Sequence, residues 1–367
     1  MRPAAHLLAR SLLLAVLIAV GFAALTPVGR YLARAAWEEG LILARRKPIT
    51  QLVSSPATDS RTRAKLELVL AARTFAADSV TLKARQSFTT YSRLRSDTLV
   101  LVLAGAPRDR LEPYTWWFPI VGSVPYKGFF DPADAERAAR ELESRGLDTY
   151  LRPASAFSTL GWFNDPILST TLALDSVSLA NTVIHELTHN TFYAPGQAVF
   201  NESFANFVGS RGAIWFFRAR GDSTNERLGE EDWAREKLVG RFWESLYRSL
   251  DSAFDAHPDD EAARLSAREA IYAHAERMFT DSVAPQLPGY DARHPVLPRL
   301  NNAVLLARRV YRTGLDLFDA VLAREGGNLP RAIERIVDLA RSRPDDPYEA
   351  VRGWVAELPR DQEAGIR

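Results

Sequence analysis

Beyond residue 178 the apolar residues recur every three or four positions almost without a break, a spacing that lines one face of a helix and suits no strand. It predicts helices near 178–192, 199–219, 223–254, 259–279, 297–324 and 328–342. Strand patterns are confined to the first half, so the expected fold class is α+β, predominantly α-helical. There TLVLVLAGAP reads as a buried strand and WWFPIVGSVPY as strand-rich sequence. Asp131-Pro-Ala-Asp opens a helix through AERAARELESRG, Gly146 suits its C-terminal cap, and DTYLRP returns as a strand. These elements make a small α/β unit over 97–170, ahead of the helical part at 178–367. Helical spacing also runs over 31–52 and from Thr62 to about Phe75, either side of an SSPATDS linker. The Pro-containing stretch 285–298 is the clearest loop in the second half and a candidate cleft wall.

Charge and cysteine usage narrow the function classes. With 46 basic and 45 acidic residues the formal net charge is +1, which gives nucleic acid no electrostatic footprint. Cys is absent, so disulfides, thiolate metal sites and cysteine nucleophiles are excluded, and any metal is held by nitrogen and oxygen. At the N-terminus, residues 11–29 (SLLLAVLIAVGFAALTPVG) carry no charge and follow Arg2 and Arg10. That run is long enough to cross a bilayer, and residues 1–30 read as a transmembrane anchor or as a signal segment cut near Ala23 or Ala24. The anchor is the favoured reading, although Arg30 and Arg34 on the far side weaken the charge asymmetry.

Chemistry concentrates in NTVIHELTHNTFYAPGQAVFNESFANFVG at 181–209. His185 and His189 are four apart, so a helix sets both imidazoles on one face, one turn from each other, as two ligands of a tetrahedral zinc. Glu186 beside them is placed to take a proton from a water without binding the ion. Leu179, Val183, Ile184 and Leu187 at helical spacing imply that this helix is buried. Pro195 and Gly196 turn the chain into a second apolar helix, where Glu202 is the expected third ligand. Three protein ligands leave a fourth position for water, the layout of a catalytic zinc, one per chain. Asn206, one turn past Glu202, is expected to orient a ligand histidine by hydrogen bonding its ring. Cobalt or manganese would also suit this donor set.

Other side chains offer themselves with weaker spacing logic. Tyr193, Tyr290, His294 and Tyr311 are candidate donors to the oxyanion of a peptidase reaction. Gly161 and Asp165, in STLGWFNDP, are candidate substrate contacts, the carboxylate for a free amine, although N-D-P is also ordinary turn chemistry. Asn301 and Asn302 read as caps of the helix that follows them, or as substrate contacts.

HExxH followed by a helix-borne NExxxN segment resembles the gluzincin metallopeptidases. WWFPIVGSVPYKGFF, AFSTLGWFNDP, HELTHNTFY, FNESFANFVG and RLNNAVLL together resemble the bacterial putative aminopeptidase family, from about residue 31 to about 342. The resemblance implies a gluzincin-like metallopeptidase domain over 31–367, a zinc peptidase with His185, His189 and Glu202 as ligands and Glu186 as base, and a peptide substrate. With the signal-like layout of residues 1–30, the expected location is the bacterial inner membrane with the catalytic domain on the periplasmic or extracytoplasmic side, or outside the membrane after signal cleavage. Two departures stand out. Only twelve residues separate His189 from Glu202, fewer than in thermolysin-like enzymes, and no cysteine follows the apolar run for a lipid anchor. From residues alone, an endopeptidase, another amide hydrolase of the cell envelope and a zinc-braced scaffold without activity stay open.

Overall fold

Strand-forming VLVLAGA sits between two different surfaces, and its alternating side chains organise the first half of the molecule. The structure is a computed structural model and describes residues 13–14, 20–94, 100–118, 122–154, 166–287 and 297–357. In chain order these include α1 (Pro27–Ala44), β1 (Lys47–Pro48), α2 (Ile49–Ser54), α3 (Ser60–Asp78), β2 (Thr90–Ser92), β3 (Val100–Ala106), β4 (Trp116–Phe118), β5 (Gly122–Val124) and β6 (Tyr126–Phe129). Then come α4 (Pro132–Ser144), β7 (Asp148–Ala154), β8 (Ile167–Leu168), α5 (Ser169–Leu172), α6 (Ser176–Thr191), α7 (Ala198–Ala219), α8 (Ser223–Asp255) and α9 (Glu261–Met278). The chain continues with α10 (Asn302–Arg309), α11 (Leu315–Arg324), α12 (Leu329–Ser342) and α13 (Pro347–Ala356). The protein is therefore predominantly helical with few strands, an α+β mixture.

β3 is the centre of an antiparallel sheet ordered β6-β3-β7. Leu103 on one face packs with Ala139 and Leu142 of α4 and with Leu151 of β7. Asp131 caps α4 by accepting from the Ala133 amide, and Gly146 turns the chain out of it at φ +78°. The other face of the sheet meets the helical part through a buried polar latch. The fully buried Asn302 donates its backbone N–H to Asp148 and its amide to the carbonyls of Pro107 and Arg110, and accepts from the Tyr272 hydroxyl. Asp148 also pairs with the buried Arg268. Asn302 is thus neither cap nor substrate contact; Asn301 alone caps α10, accepting from the Val304 amide at 2.8 Å.

In the helical part, α6 and α7 pack against each other and against α3, α8, α11 and α12. Phe200, Phe204 and Phe207 of α7 close on Phe318 of α11, with ring centroids 5.6–5.8 Å apart, so the helix that carries the expected third ligand is clamped on its apolar side.

Three readings of the sequence need correction. The helix expected over 31–52 ends at Ala44, because Pro48 has no N–H to continue it and Lys47–Pro48 instead pair with β2. The helix expected over 297–324 is two helices separated by a turn at 310–314, where Gly314 adopts φ +67°. Any Cβ there would come within 2.6 Å of the Tyr348 ring, so tertiary packing selects the break. And α13, opened by Asp346-Pro347, is a helix that the predicted set, ending at 342, did not include, although it lies in the helical part expected over 178–367. Among the described residues no helix is long and apolar enough to cross a membrane; residues 11–12 and 15–19 of the 11–29 run lie outside them.

Candidate active site

Two adjacent helices and the short turn between them build the site. Asp175 caps α6 through the Ser178 amide, and Val177, Leu179, Ala180, Val183, Ile184 and Leu187 bury its inner face. That leaves His185 and His189 on the remaining stripe, one turn apart. After α6 the chain reverses at Gly196, φ +76°, and Asn201 holds the reversal closed. Its side chain accepts from the Ala194 N–H and donates to the Ala194 C=O, both at 2.8 Å. With the turn pinned, the next residue, Glu202, faces the two histidines.

The three candidate ligand atoms form a small triangle. His185 Nε2 and His189 Nε2 are 3.2 Å apart, and Glu202 Oε2 lies 3.4 Å from the first and 3.6 Å from the second. A tetrahedral ion with arms of about 2.05 Å holds its ligand atoms about 3.3 Å apart, so these edges fit such an ion. Among the described residues this is the one cluster of histidine and carboxylate groups able to hold a metal. The side chains keep 14%, 22% and 29% of their surface exposed, so the fourth face of the tetrahedron is open to a reactant.

Close helix approach makes this triangle achievable. At Gly209 an added Cβ would crowd Asn181 and come within 3.0 Å of His185 Cβ, and at Gly212 it would come within 2.9 Å of Ile184. Both glycines lie where α7 crosses the histidine helix, and they set the gap across which Glu202 reaches. Gly209→Ala is expected to push the helices apart, costing about 1–3 kcal/mol of stability as overpacking does and weakening metal binding. Urea unfolding and a competitive zinc titration measure the two effects.

Electrostatics favour positive charge at the centre. Burial raises the cost of charging Glu202, yet hydrogen bonds and attraction from His185 and His189 overcome it and hold the carboxyl well below its usual range. Burial likewise disfavours charge on His189, but Glu202 and then Glu186 raise its pKa above the ordinary imidazole value. A divalent cation supplies that charge better than one shared proton. Glu186 is partly buried and makes no hydrogen bond or ion pair with a described residue.

Around the triangle, the expected residues fall into three groups. Tyr311 is in place: its ring centroid lies 6.4 Å from that of His185. Burial, then the Glu202 charge, pushes its phenol up to about 12, with the Arg152 guanidinium pulling the other way. Asn206 does not touch a histidine. Its amide donates to the Tyr311 carbonyl at 2.8 Å and to Glu236 at 3.5 Å, because the 310–314 turn reaches it first. Ser203 grips the same turn, donating to the Val310 carbonyl and accepting from the Thr313 amide. Tyr193 is 53% exposed at the rim, near enough to Tyr126 to act on it electrostatically. Gly161, Asp165, Tyr290 and His294 lie outside the described residues.

Two neighbours of the site have no counterpart among the sequence expectations. Tyr126 of β6 feels the charges of Glu202 and Arg152, and Arg152 of β7 faces the Tyr311 hydroxyl. Both stand on the sheet of the α/β unit, so that unit forms a wall of the site. Nothing in their local sequence marks them; their place follows from how the sheet docks.

Comparison with known proteins adds a family. A family model described as putative aminopeptidase matches residues 30–350. No curated protein and no solved structure matches the chain.

Proposed function

The chain belongs to the putative aminopeptidase family, and from that membership we propose that it is a zinc-dependent metallopeptidase which removes residues from the free N-terminus of peptides. The observation that carries this reading is the triangle of His185, His189 and Glu202 with edges suited to a tetrahedral ion, open on one face, with Glu186 next to it. Two histidines on one helix and a glutamate on the next support a gluzincin-like core, one zinc per chain. Nitrogen and oxygen ligands at these spacings fit zinc, which when bound supplies Lewis acidity and brings a coordinated water to a pKa of about 7.

The residues divide the remaining work. Glu186 accepts a proton from the attacking water and returns it to the leaving amine, for which a carboxylate close enough to act on His189 is suited. Tyr311, protonated at neutral pH, donates its hydroxyl to the scissile carbonyl oxygen as that oxygen gains charge. Asn206 and Ser203 keep the turn that carries Tyr311 against α7, and so act by position. The apolar run at 11–29 supports a chain tethered to the bacterial inner membrane, with its catalytic domain on the extracytoplasmic side.

Preference for a free amino end tests the exopeptidase reading. The zinc-loaded chain is expected to cleave a peptide with a free N-terminus at least about tenfold faster than its N-acetylated twin, and to release the first residue. Equal rates, with internal cleavage seen by mass spectrometry, would replace the aminopeptidase with an endopeptidase.

A further inference from the structure

Asp148, Tyr150 and Arg152 alternate along β7 and so share one face of the sheet. The opposite face is taken up by α4, through Leu103, Leu142 and Leu151. The shared face meets the helices contact by contact. Asp148 meets Arg268 and the Asn302 amide, Tyr150 lies under the Arg308 guanidinium at 5.5 Å, and Arg152 comes to Tyr311. Tyr311 in turn lies against His185, so the strand delivers Arg152 to a position one tyrosine away from the ligand triangle.

Among the described residues no carboxylate forms an ion pair with Arg152. Its neighbours Arg268, Arg309 and Arg312 are each ion-paired, with Asp148, Glu244 and Glu236. Arg152 is partly buried and pairs with no acidic group among the described residues. Arg308, on the same face, likewise has no such partner and leaves its buried Nε unbonded. A guanidinium withdrawn from water without a counter-charge is costly, and its planar fork matches a carboxylate with two parallel bonds. Next to the candidate site, a counter-charge that no described residue supplies is one a substrate can bring.

We propose that Arg152 binds a carboxylate of the substrate, the C-terminal carboxylate of a di- or tripeptide. One extended residue spans about 3.5 Å, so an anchor one aromatic ring away from the ligand triangle suits a carboxylate one or two residues beyond the cleaved bond. An acidic side chain of a longer peptide carries the same chemistry. The assignment rests on the metallopeptidase reading of the site and names the substrate class that site takes.

The test uses the full chain and three peptides: trialanine, its C-terminal amide, and an amidated tripeptide with glutamate last. For the zinc-loaded wild type, KM for the free acid is expected to be on the order of 10- to 100-fold below that of trialanine amide, the worth of a charged hydrogen bond, with similar kcat. Arg152→Gln is expected to raise KM for the acid to the amide's value, so that the preference for the acid is lost whatever change in kcat the two substrates share through Tyr311, and to keep the wild-type melting temperature; Arg152→Lys is expected to fall between. Independently of activity, calorimetric titration of the metal-free chain with the free acid is expected to give binding that Arg152→Gln abolishes. Equal wild-type KM for acid and amide, or an acid preference that survives in Arg152→Gln, would overturn the proposal and leave the peptidase intact. A glutamate amide as good as the free acid overturns the C-terminal assignment. A chain that cleaves nothing yet binds free acid through Arg152 upholds the carboxylate site, and the peptidase reading falls instead.

Discussion

Glu186→Gln is expected to lower kcat for peptide hydrolysis on the order of a thousandfold, within the range ascribed to a positioned acid–base group, while zinc content stays at about one per chain. Glutamine keeps the size and polarity of the side chain and removes only its ability to hold a proton. The substitution is structurally mild because Glu186 makes no hydrogen bond or ion pair with a described residue. Its charge is felt at His189, so metal affinity is expected to fall slightly, and zinc must be kept saturating in the assay. An ion that merely braced two helices would have no use for this carboxylate. Peptidase activity unchanged in Glu186→Gln would therefore remove Glu186 from the mechanism.

The second large effect concerns the ion itself. His189→Ala is expected to abolish stoichiometric zinc, as read by plasma mass spectrometry on the purified chain beside wild type. The variant leaves His185 and Glu202, and two ligands do not define a tetrahedral site. Stability gives a second readout. Zinc present at a thousand times its dissociation constant stabilises the folded chain by about 4 kcal/mol, so a chelator is expected to lower the melting temperature of wild type and leave that of His189→Ala unchanged. A wild-type chain that is metal-free and refuses added zinc would end the metallopeptidase reading.

Much of the site was legible because it is local. His185, Glu186 and His189 sit within one helical turn, and helical spacing alone sets their faces. Glu202 was within reach because one short turn separates its helix from theirs. The role of Asn201 was less visible, since nothing in NES says that its amide would clasp Ala194 across the reversal. Asn206 was misassigned for a related reason. Its position one turn past Glu202 was read correctly, but its partner is a carbonyl more than a hundred residues away in sequence. The broken helix at 310–314 has the same origin, as Ser203, Asn206 and Tyr348 hold a turn that local periodicity would have run through. Tyr126 and Arg152 were out of reach altogether. Their relation to the site depends on the Asn302 latch, which joins the sheet to α9 and α10 through contacts with no periodic signature.

The ligand triangle belongs to α6 and α7, whereas Tyr126 and Arg152 belong to the sheet. Mutational drift can therefore act on the two halves separately. Exchanging the site-facing residues of β6 and β7 is expected to alter which peptides are accepted without disturbing the glycine-spaced helix pair. Relatives that share the histidine helix can in this way diverge in diet while keeping one chemistry, and a laboratory library confined to positions 126 and 152 would explore that divergence on an unchanged pair of helices.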